Sequence, residues 1–428
     1  MKKQLTQEIN KNVTPIIKAL LKKIGRIADV HKVRVFLVGG FVRDLLLVRN
    51  NYDLDFVVES DAIEFSRIMA KELKADLKIH KRFKTAKLSL TNGLIFDVAT
   101  ARTECYKSPA SLPVVTPSSL NKDLCRRDFS INSLAIALNK NNFGELIDLF
   151  QGQNDVKEKR IRVLHNLSFI EDPTRIFRAV RFEQRFDFKI DKPTENLIKT
   201  AVGLNMFGKL QKFRISEELV LLLNEPHPLK CIRRINDLCE LKFIHPKIRF
   251  NKKMIYLLKA AKEIVAWYRV NCNFKQAECW IVYLLVILDG IDLTSAAQIF
   301  KTFSFRKYVQ NCIFSAKQKW PQVFGIITDA STLTVSEITR ILKSVPIEAV
   351  LFFMTKAAKL KRTEIFIKFF TVYDKIELDI SGHDLKKISS VPGPKFKGVL
   401  EKILNAKIDG KLKTHADELN LARKLLCS

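Results

Sequence analysis

Acidic residues are scarce in this chain. Asp and Glu total 45 against 74 Lys and Arg, a net charge of +29, which argues for a polyanionic partner, nucleic acid first. An even scatter of lysines would mean only a compositional bias. Paired thiol motifs are missing too: none of the eight cysteines sits in Cys-x-x-Cys or at regular spacing, which argues against zinc ribbons and dithiol redox motifs and leaves free thiols of a reducing cytosol. No long apolar run exists. The longest, WIVYLLVIL at 280–288, falls well short of the roughly 20 residues a membrane-spanning helix needs. The opening MKKQLTQEINKN starts with a lysine pair after Met1 and has no apolar core behind it, unlike a signal peptide. A soluble, cytoplasmic protein with no membrane partner is expected. The amphipathic segments of 230–370 show no repeat of fixed period.

What is present is organised around residues 33–59, VRVFLVGGFVRDLLLVRNNYDLDFVVE. VRVFLV reads as a strand ended by Gly39-Gly40, FVRDLLL as the first turns of a helix, and YDLDFVVE as a second strand. Alternation along a strand puts Asp53 and Asp55 on one face. Two neighbouring carboxylates repel unless a cation lies between them, and hard divalent ions such as Mg²⁺ prefer carboxylate oxygen. The glycines admit close approach of backbone N–H groups to a phosphate, the helix start adds its positive end, and Arg43 lies one turn in. A phosphate cradle beside a metal-binding pair suits phosphoryl or nucleotidyl transfer. Taken singly, Asp-x-Asp also fits a solvated strand end and Gly-Gly a turn.

At 428 residues and 47% hydrophobic content, about two to four domains are expected. Ile16, Ile17, Leu20, Leu21, Ile24 and Ile27 make residues 13–30 an amphipathic helix. AIEFSRIMAKEL is another, followed by ADLKIH, KTAKLSLT and LIFDVATAR as short strands, a pattern of a small mixed α/β or α+β domain. Asp97, in the last of these, either reaches the acidic pair as a third carboxylate or is a partly exposed strand residue. Residues 102–125, with three prolines and four serines, read as a long loop. In 126–138, RRDFSINSLAIAL, residues Ile131, Leu134, Ala135 and Leu138 form a helical apolar face. Arg126 and Arg127 at its start can hold a triphosphate, while Asp128 and Asn132 can bond ribose hydroxyls; a solvated, capped helix start is the plainer account.

In FIEDPTRIFRAVRFEQRF, Asp172 reads as a helix N-cap and Pro173 as the first helical residue. Arg175, Arg178, Arg181 and Arg185 then share one helical stripe. A solvated basic face explains the stripe, but so does base selection. A carboxylate accepts and a guanidinium donates, the complement of the amino donor and ring-nitrogen acceptor that cytosine and adenine share and that uracil and guanine reverse.

These motifs resemble the class II tRNA nucleotidyltransferases and bacterial poly(A) polymerases, a branch of the polymerase β-like superfamily. GGFVRD with DLD resembles the family's first motif and Arg-Arg-Asp-Phe-x-x-Asn at 126–132 its second. Asp148, Gly152 and Asp155 fit the segment joining catalytic head to neck, where the glycine is a hinge or a turn. Glu-Asp-x-x-Arg at 171–175 matches the base-recognising motif, and KFRISEELVLLL a helical motif that supports the neck. The resemblance implies an α+β fold: a small mixed-sheet polymerase β-like head over 1–150, then an all-α neck over 151–225, body over 226–370 and tRNA-binding tail over 371–428. It implies transfer of AMP, or CMP and AMP, from ATP, with CTP in the wider reading, to the tRNA 3′ end. Asp53 and Asp55 would hold Mg²⁺ and Asp97 assist them. Gly39, Gly40, Arg43, Arg126, Arg127, Asp128, Asn132 and Arg178 would bind nucleotide. Asp172 and Arg175 would select the base, with Glu171 orienting the arginine. Lys395 and Lys397, after Pro-Gly-Pro, would touch RNA phosphate. The loop between the first two motifs and the wording of the neck lean toward A addition, in which case a CC-adding enzyme is a partner. A poly(A) polymerase is the nearest rival; a non-catalytic RNA-binding protein is the rival of another class, and it would be expected to have lost one of the two aspartates.

Overall fold

Two helices, α1 (Thr6–Asn12) and α2 (Pro15–Val30), precede the first strand in the computed structural model, which describes residues 3–50, 53–106, 108–272, 276–328, 333–388 and 395–427. Helix α2 buries Ile17, Leu20, Leu21, Ile24 and Ile27. Ile16, at the edge of that stripe and in the first turn, stays 60% exposed. Strand β1 (Val35–Val38) ends at Gly39, α3 (Gly40–Leu46) follows, and β2 (Leu54–Val58) returns antiparallel to β1. Next come α4 (Ala62–Leu73), β3 (Asp76–His80), β4 (Thr85–Ser89) and β5 (Ile95–Thr100).

Residues 102–125 are not a structureless loop. They form an antiparallel ribbon, β6 (Arg102–Cys105) with β7 (Val114–Pro117), and a short helix, α5 (Leu120–Cys125). The segment after it differs more sharply from expectation. SLAIAL is not a helix: β8 (Leu134–Ala137) pairs antiparallel with β1 and with β9 (Leu146–Asp148). All four β8 residues are buried, so the strand reads as a continuous apolar run, which alternation cannot distinguish from a helix segment.

The sheet order is β3-β4-β5-β2-β1-β8-β9, with β2 and β5 parallel and the other pairs antiparallel. Leu54, Phe56 and Val58 of β2 join the core beneath α2, α3 and α4. Val57 joins a smaller core with Leu120 and Leu124 of α5 on the other face. Period-2 alternation therefore turns Asp55 to that second face.

Helix α6 (Gly152–Lys157) follows β9. A side chain at Gly152 would come within 2.2 Å of the Ser130 carbonyl oxygen, so the glycine here serves a close backbone approach. Asp148 accepts from the N–H groups of Gly152 and Gln153 at 2.8 and 2.9 Å. A two-stranded parallel pair, β10 (Arg160–Ile161) and β11 (Lys189–Ile190), brackets α7 (Ser168–Glu171) and α8 (Arg175–Phe186). Helices α9 (Lys192–Gly203), α10 (Met206–Lys209), α11 (Lys212–Leu223) and α12 (Pro228–Cys239) complete a unit that spans Met1–Cys239.

The second unit, Glu240–Ser428, contains ten α-helices among the described residues. WIVYLLVI becomes its helix Trp280–Ile287, buried on every side, as expected of a helix apolar all round. No helix among the described residues is long and apolar enough to cross a membrane. Cysteines 105, 125, 231, 239, 279 and 312 are free thiols.

Candidate active site

A cavity of about 890 Å³ opens in the first unit. One wall is the start of β2. Asp53, exposed, stands just before the strand and Asp55 is its second residue. Burial, then the neighbouring Asp53 charge, push the Asp55 carboxyl up to about 6, with Asp97 adding to the rise and Arg127 and Lys87 opposing it. Asp97 is the direct neighbour of Asp55 across the parallel β2/β5 pair. Its Oδ2 accepts from Lys87 Nζ at 2.6 Å, so its carboxylate is engaged across β4 and β5. Among the described residues no three His, Cys, Asp or Glu side chains are grouped to hold a metal.

Gly39 and Gly40 line the cavity at the β1–α3 junction. Gly39 has φ +69°, and a Cβ there would lie 2.9 Å from Arg127 Nη1; conformation and space both call for glycine. Arg43 also lines the cavity but is only 6% exposed. Its Nε and Nη2 donate to Asp44 at 2.9 and 3.0 Å, and its Nη1 to Asn132 Oδ1 at 2.6 Å. The guanidinium lies 4.4 Å over the Phe186 ring. Arg43 thus acts here as a strut under Asn132.

Asn132 passes the alignment on, because its Nδ2 donates to Asp128 Oδ1 at 3.1 Å. Asp128 Oδ2 takes Arg178 Nε and Nη2 at 2.8 and 2.6 Å. Burial works to raise the Asp128 carboxyl, yet the Arg178 charge and the Asn132 and Arg178 hydrogen bonds hold it below the usual range. Arg126 and Arg127 stand at the end of α5, both on the carboxylate of Asp123. Glu104 Oε1, from the ribbon, takes Arg126 Nη1 at 2.8 Å. The adjacent Tyr106 hydroxyl donates to Glu104 Oε2 at 3.3 Å.

The third wall is α8. Arg175, Arg178, Arg181 and Arg185 all line the cavity, as one helical stripe demands. The helix starts later than its cap signals suggest. Asp172 ends α7 in extended conformation, the geometry favoured before proline, and its Oδ1 accepts from the Thr174 N–H at 3.1 Å and hydroxyl at 2.6 Å. Arg214 Nη2, from α11, reaches the same oxygen at 2.9 Å. Arg175, 5% exposed, donates to Ser168 Oγ at 2.6 Å and to the Arg126 carbonyl at 2.9 Å. Glu171 instead lies 3.5 Å from His165, so Ser168, not Glu171, orients Arg175. Lys395 and Lys397 belong to the second unit, exposed at the start of its helix Lys395–Ile408. The Pro-Gly-Pro turn before them, 392–394, lies outside the described residues.

A family profile described as the poly A polymerase head domain matches residues 35–162. The A-adding tRNA nucleotidyltransferase of Geobacter sulfurreducens is 36% identical over 428 residues, 99% of this chain and 49% of that protein. The solved Thermotoga maritima CCA-adding enzyme complexed with tRNA matches at TM-score 0.79 and 34% identity, over 99% of this chain and 98% of that one. A CCA-adding enzyme complexed with ATP matches at 0.82 and 33%, again over 99% and 98%. The chain belongs to the tRNA nucleotidyltransferase family. It spans about half the length of the Geobacter relative.

Membership of the tRNA nucleotidyltransferase family carries divalent-metal use with it. The acidic pair fits such an ion: its oxygens are hard donors, and the raised Asp55 carboxyl marks negative charge that a cation would relieve. Two protein carboxylates suit a metal that keeps water and substrate phosphate as further ligands. Of the carboxylates that hold the arginines, Asp128 and Glu218 lie in the motifs and Asp123 and Glu225 do not. Asp123 had a readable signal, lying three and four residues before its partners. Glu225 had none: from beyond the end of α11 it accepts from Arg181 Nε and Arg185 Nε, each at 2.9 Å.

Proposed function

We propose that this chain is a template-independent RNA nucleotidyltransferase that adds AMP, or CMP and AMP, to the 3′ end of tRNA, building or completing CCA and releasing pyrophosphate. The observation that carries this reading is one cavity lined by the Asp53/Asp55 pair, the Arg126/Arg127 pair and the Asp172/Arg175 pair. The names of the A-adding and CCA-adding relatives, and the tRNA and ATP in the titles of the solved ones, support it.

Asp53 and Asp55 would hold Mg²⁺, which when bound activates the attacking hydroxyl and steadies the leaving pyrophosphate. Arg126 and Arg127 bind the triphosphate. Asp128 and Asn132, aligned by Arg178 and Arg43, read the ribose. Asp172 accepts from the exocyclic amino group of C or A and Arg175 donates to the neighbouring ring nitrogen, so uracil and guanine are rejected by mismatched donors and acceptors. For that reading both side chains must exchange contacts they now make inside the protein, Arg175 with Ser168 and Asp172 with Arg214. Asp97 stands beside Asp55 as the reserve carboxylate, and Lys395 and Lys397 touch RNA phosphate. The enzyme works in the cytoplasm.

The name of the Geobacter relative tips the choice toward A addition, with a separate CC-adding enzyme supplying the substrate. Three tRNA transcripts, ending before CCA, after C and after CC, incubated with each labelled triphosphate and Mg²⁺ and then end-sequenced, decide the matter. A single A on the CC-ended transcript alone is expected. Addition of all three nucleotides identifies a CCA-adding enzyme, long A tails a poly(A) polymerase, and no incorporation a binding protein.

A further inference from the structure

Asp123 is 0% exposed, yet two arginines that line the cavity lean on it from one side each. Its Oδ1 accepts from Arg126 Nε and Nη2 at 3.0 and 2.7 Å, and its Oδ2 from Arg127 Nε and Nη2 at 3.3 and 3.0 Å. The backbone N–H of Arg102, where the ribbon begins, also donates to Oδ1 at 3.3 Å. The carboxylate is itself fixed, because it stands in α5 with its own N–H bonded to the Ser119 carbonyl at 3.0 Å.

We infer that Asp123 is the positioning residue of the triphosphate site, holding the guanidinium groups of Arg126 and Arg127 at one spacing and one orientation before the nucleotide arrives. The inference rests on the nucleotidyl-transfer reading for its ligand and adds a residue outside the recognised motifs. Two adjacent cations would repel each other and swing on long side chains, and a shared anion offsets the first effect and removes the second. Each arginine is gripped along its Nε edge, which fixes the plane of the guanidinium and leaves the other edge to be set by what lies beyond. For Arg126 that is Glu104; for Arg127 it is the space over Gly39 and the Asn132 carbonyl, 3.4 Å from Nη1. Asparagine cannot replace the residue, since its amide would turn an N–H₂ donor toward one of two donor-only guanidinium groups.

Calorimetric binding of inorganic tripolyphosphate to the full chain reads this grip without requiring turnover, and steady-state kinetics with ATP and CC-ended tRNA reads its consequence. In Asp123→Asn, tripolyphosphate affinity and the KM for ATP both worsen by about tenfold or more, while the KM for tRNA stays within about twofold of wild type. On an Arg126→Ala/Arg127→Ala background, Asp123→Asn adds no further loss of tripolyphosphate binding, because the residue acts only through those two. Wild-type tripolyphosphate affinity in Asp123→Asn, or an equal loss on the double-alanine background, overturns the inference. If Asp123→Asn does not fold, Arg126→Lys and Arg127→Lys carry the test: they keep the charge and lose the fork, so tenfold weaker binding upholds the inference and unchanged binding overturns it. A wild-type protein whose tripolyphosphate binding depends on Asp123 but which incorporates no nucleotide upholds the Asp123 role and sinks the transfer reading alone.

Discussion

The two ends of the cavity are electrostatic opposites. At the β2 end, Asp53 and Asp55 carry like charge in close company, and the Asp55 carboxyl is raised to about 6. At the α5 and α8 end, Arg126, Arg127, Arg178, Arg181 and Arg185 each lie on a carboxylate: Asp123, Asp128 or Glu225. The difference teaches what each end is built for. A guanidinium that must meet phosphate in a fixed direction gains from being held beforehand, and an ion pair holds it. A carboxylate pair that must receive a cation gains from a mutual repulsion that the cation relieves. The arginine end is therefore organised without ligand, while the aspartate end, on the proposed reading, would be completed by one.

That contrast predicts substitutions of opposite sign. The largest effect belongs to Glu225→Gln. It takes the shared carboxylate from Arg185 and leaves Arg181 on Glu218 alone, so the first unit loses about 3 kcal/mol, read as a lower melting temperature. An unchanged melting temperature would mean that the arginine end is not pre-held. Asp55→Asn goes the other way. The folded Asp55 carboxyl titrates near 6, above its ordinary 3.8, so ionising it costs stability that is fully present below the unfolded value and lost as pH rises through about 6. Without metal at pH 7.5 the variant melts higher than wild type by the equivalent of about 1–3 kcal/mol. The gain disappears toward pH 4, and Mg²⁺ reverses the order by stabilising only the wild type. A variant that is less stable at every pH contradicts the view of a strained acidic pair.

Arg178→Lys keeps the charge beside Asp128 but replaces two hydrogen bonds to Oδ2 with a point contact. Binding of ATP weakens by about 1–2 kcal/mol, and 2′-deoxy-ATP loses less, which an ATP and 2′-deoxy-ATP competition assay measures. Equal losses for both nucleotides would detach Asp128 from the ribose. Ile16→Ala sits outside both ends and is 60% exposed, so its melting temperature stays within the equivalent of about 0.5 kcal/mol of wild type; a larger loss would mean that the α2 stripe is wider than the structure shows.

Much of this site was legible from order and spacing alone. Strand, Gly-Gly, helix and Asp-x-Asp lie within 33–59, and each part signals its own geometry locally, so the β1–α3–β2 unit follows. The stripe Arg175, Arg178, Arg181 and Arg185 follows from helical periodicity. β8 did not follow, because burial on both faces erased the alternation that marks a strand. The ribbon β6–β7 did not either, since its pairs join residues on opposite sides of a proline- and serine-rich stretch. Glu225, and the partner of Arg214, were illegible for a different reason: the residues they meet lie about 40 residues away in sequence and come together only through packing of α11 and the turn after it on α8 and its start. Spacing picks out the motif residues, whereas partners that come from distant parts of the chain are set by tertiary structure.

The most direct test is Mg²⁺-dependent incorporation of labelled AMP into a CC-ended tRNA by wild type and by Asp53→Ala, with both proteins shown to be folded by their melting curves. Wild type adds a single A, and Asp53→Ala falls by about a thousandfold or more, the scale expected when a metal-holding carboxylate is lost from such a site. Equal incorporation by the two proteins would contradict the assignment of the acidic pair as the centre of the reaction.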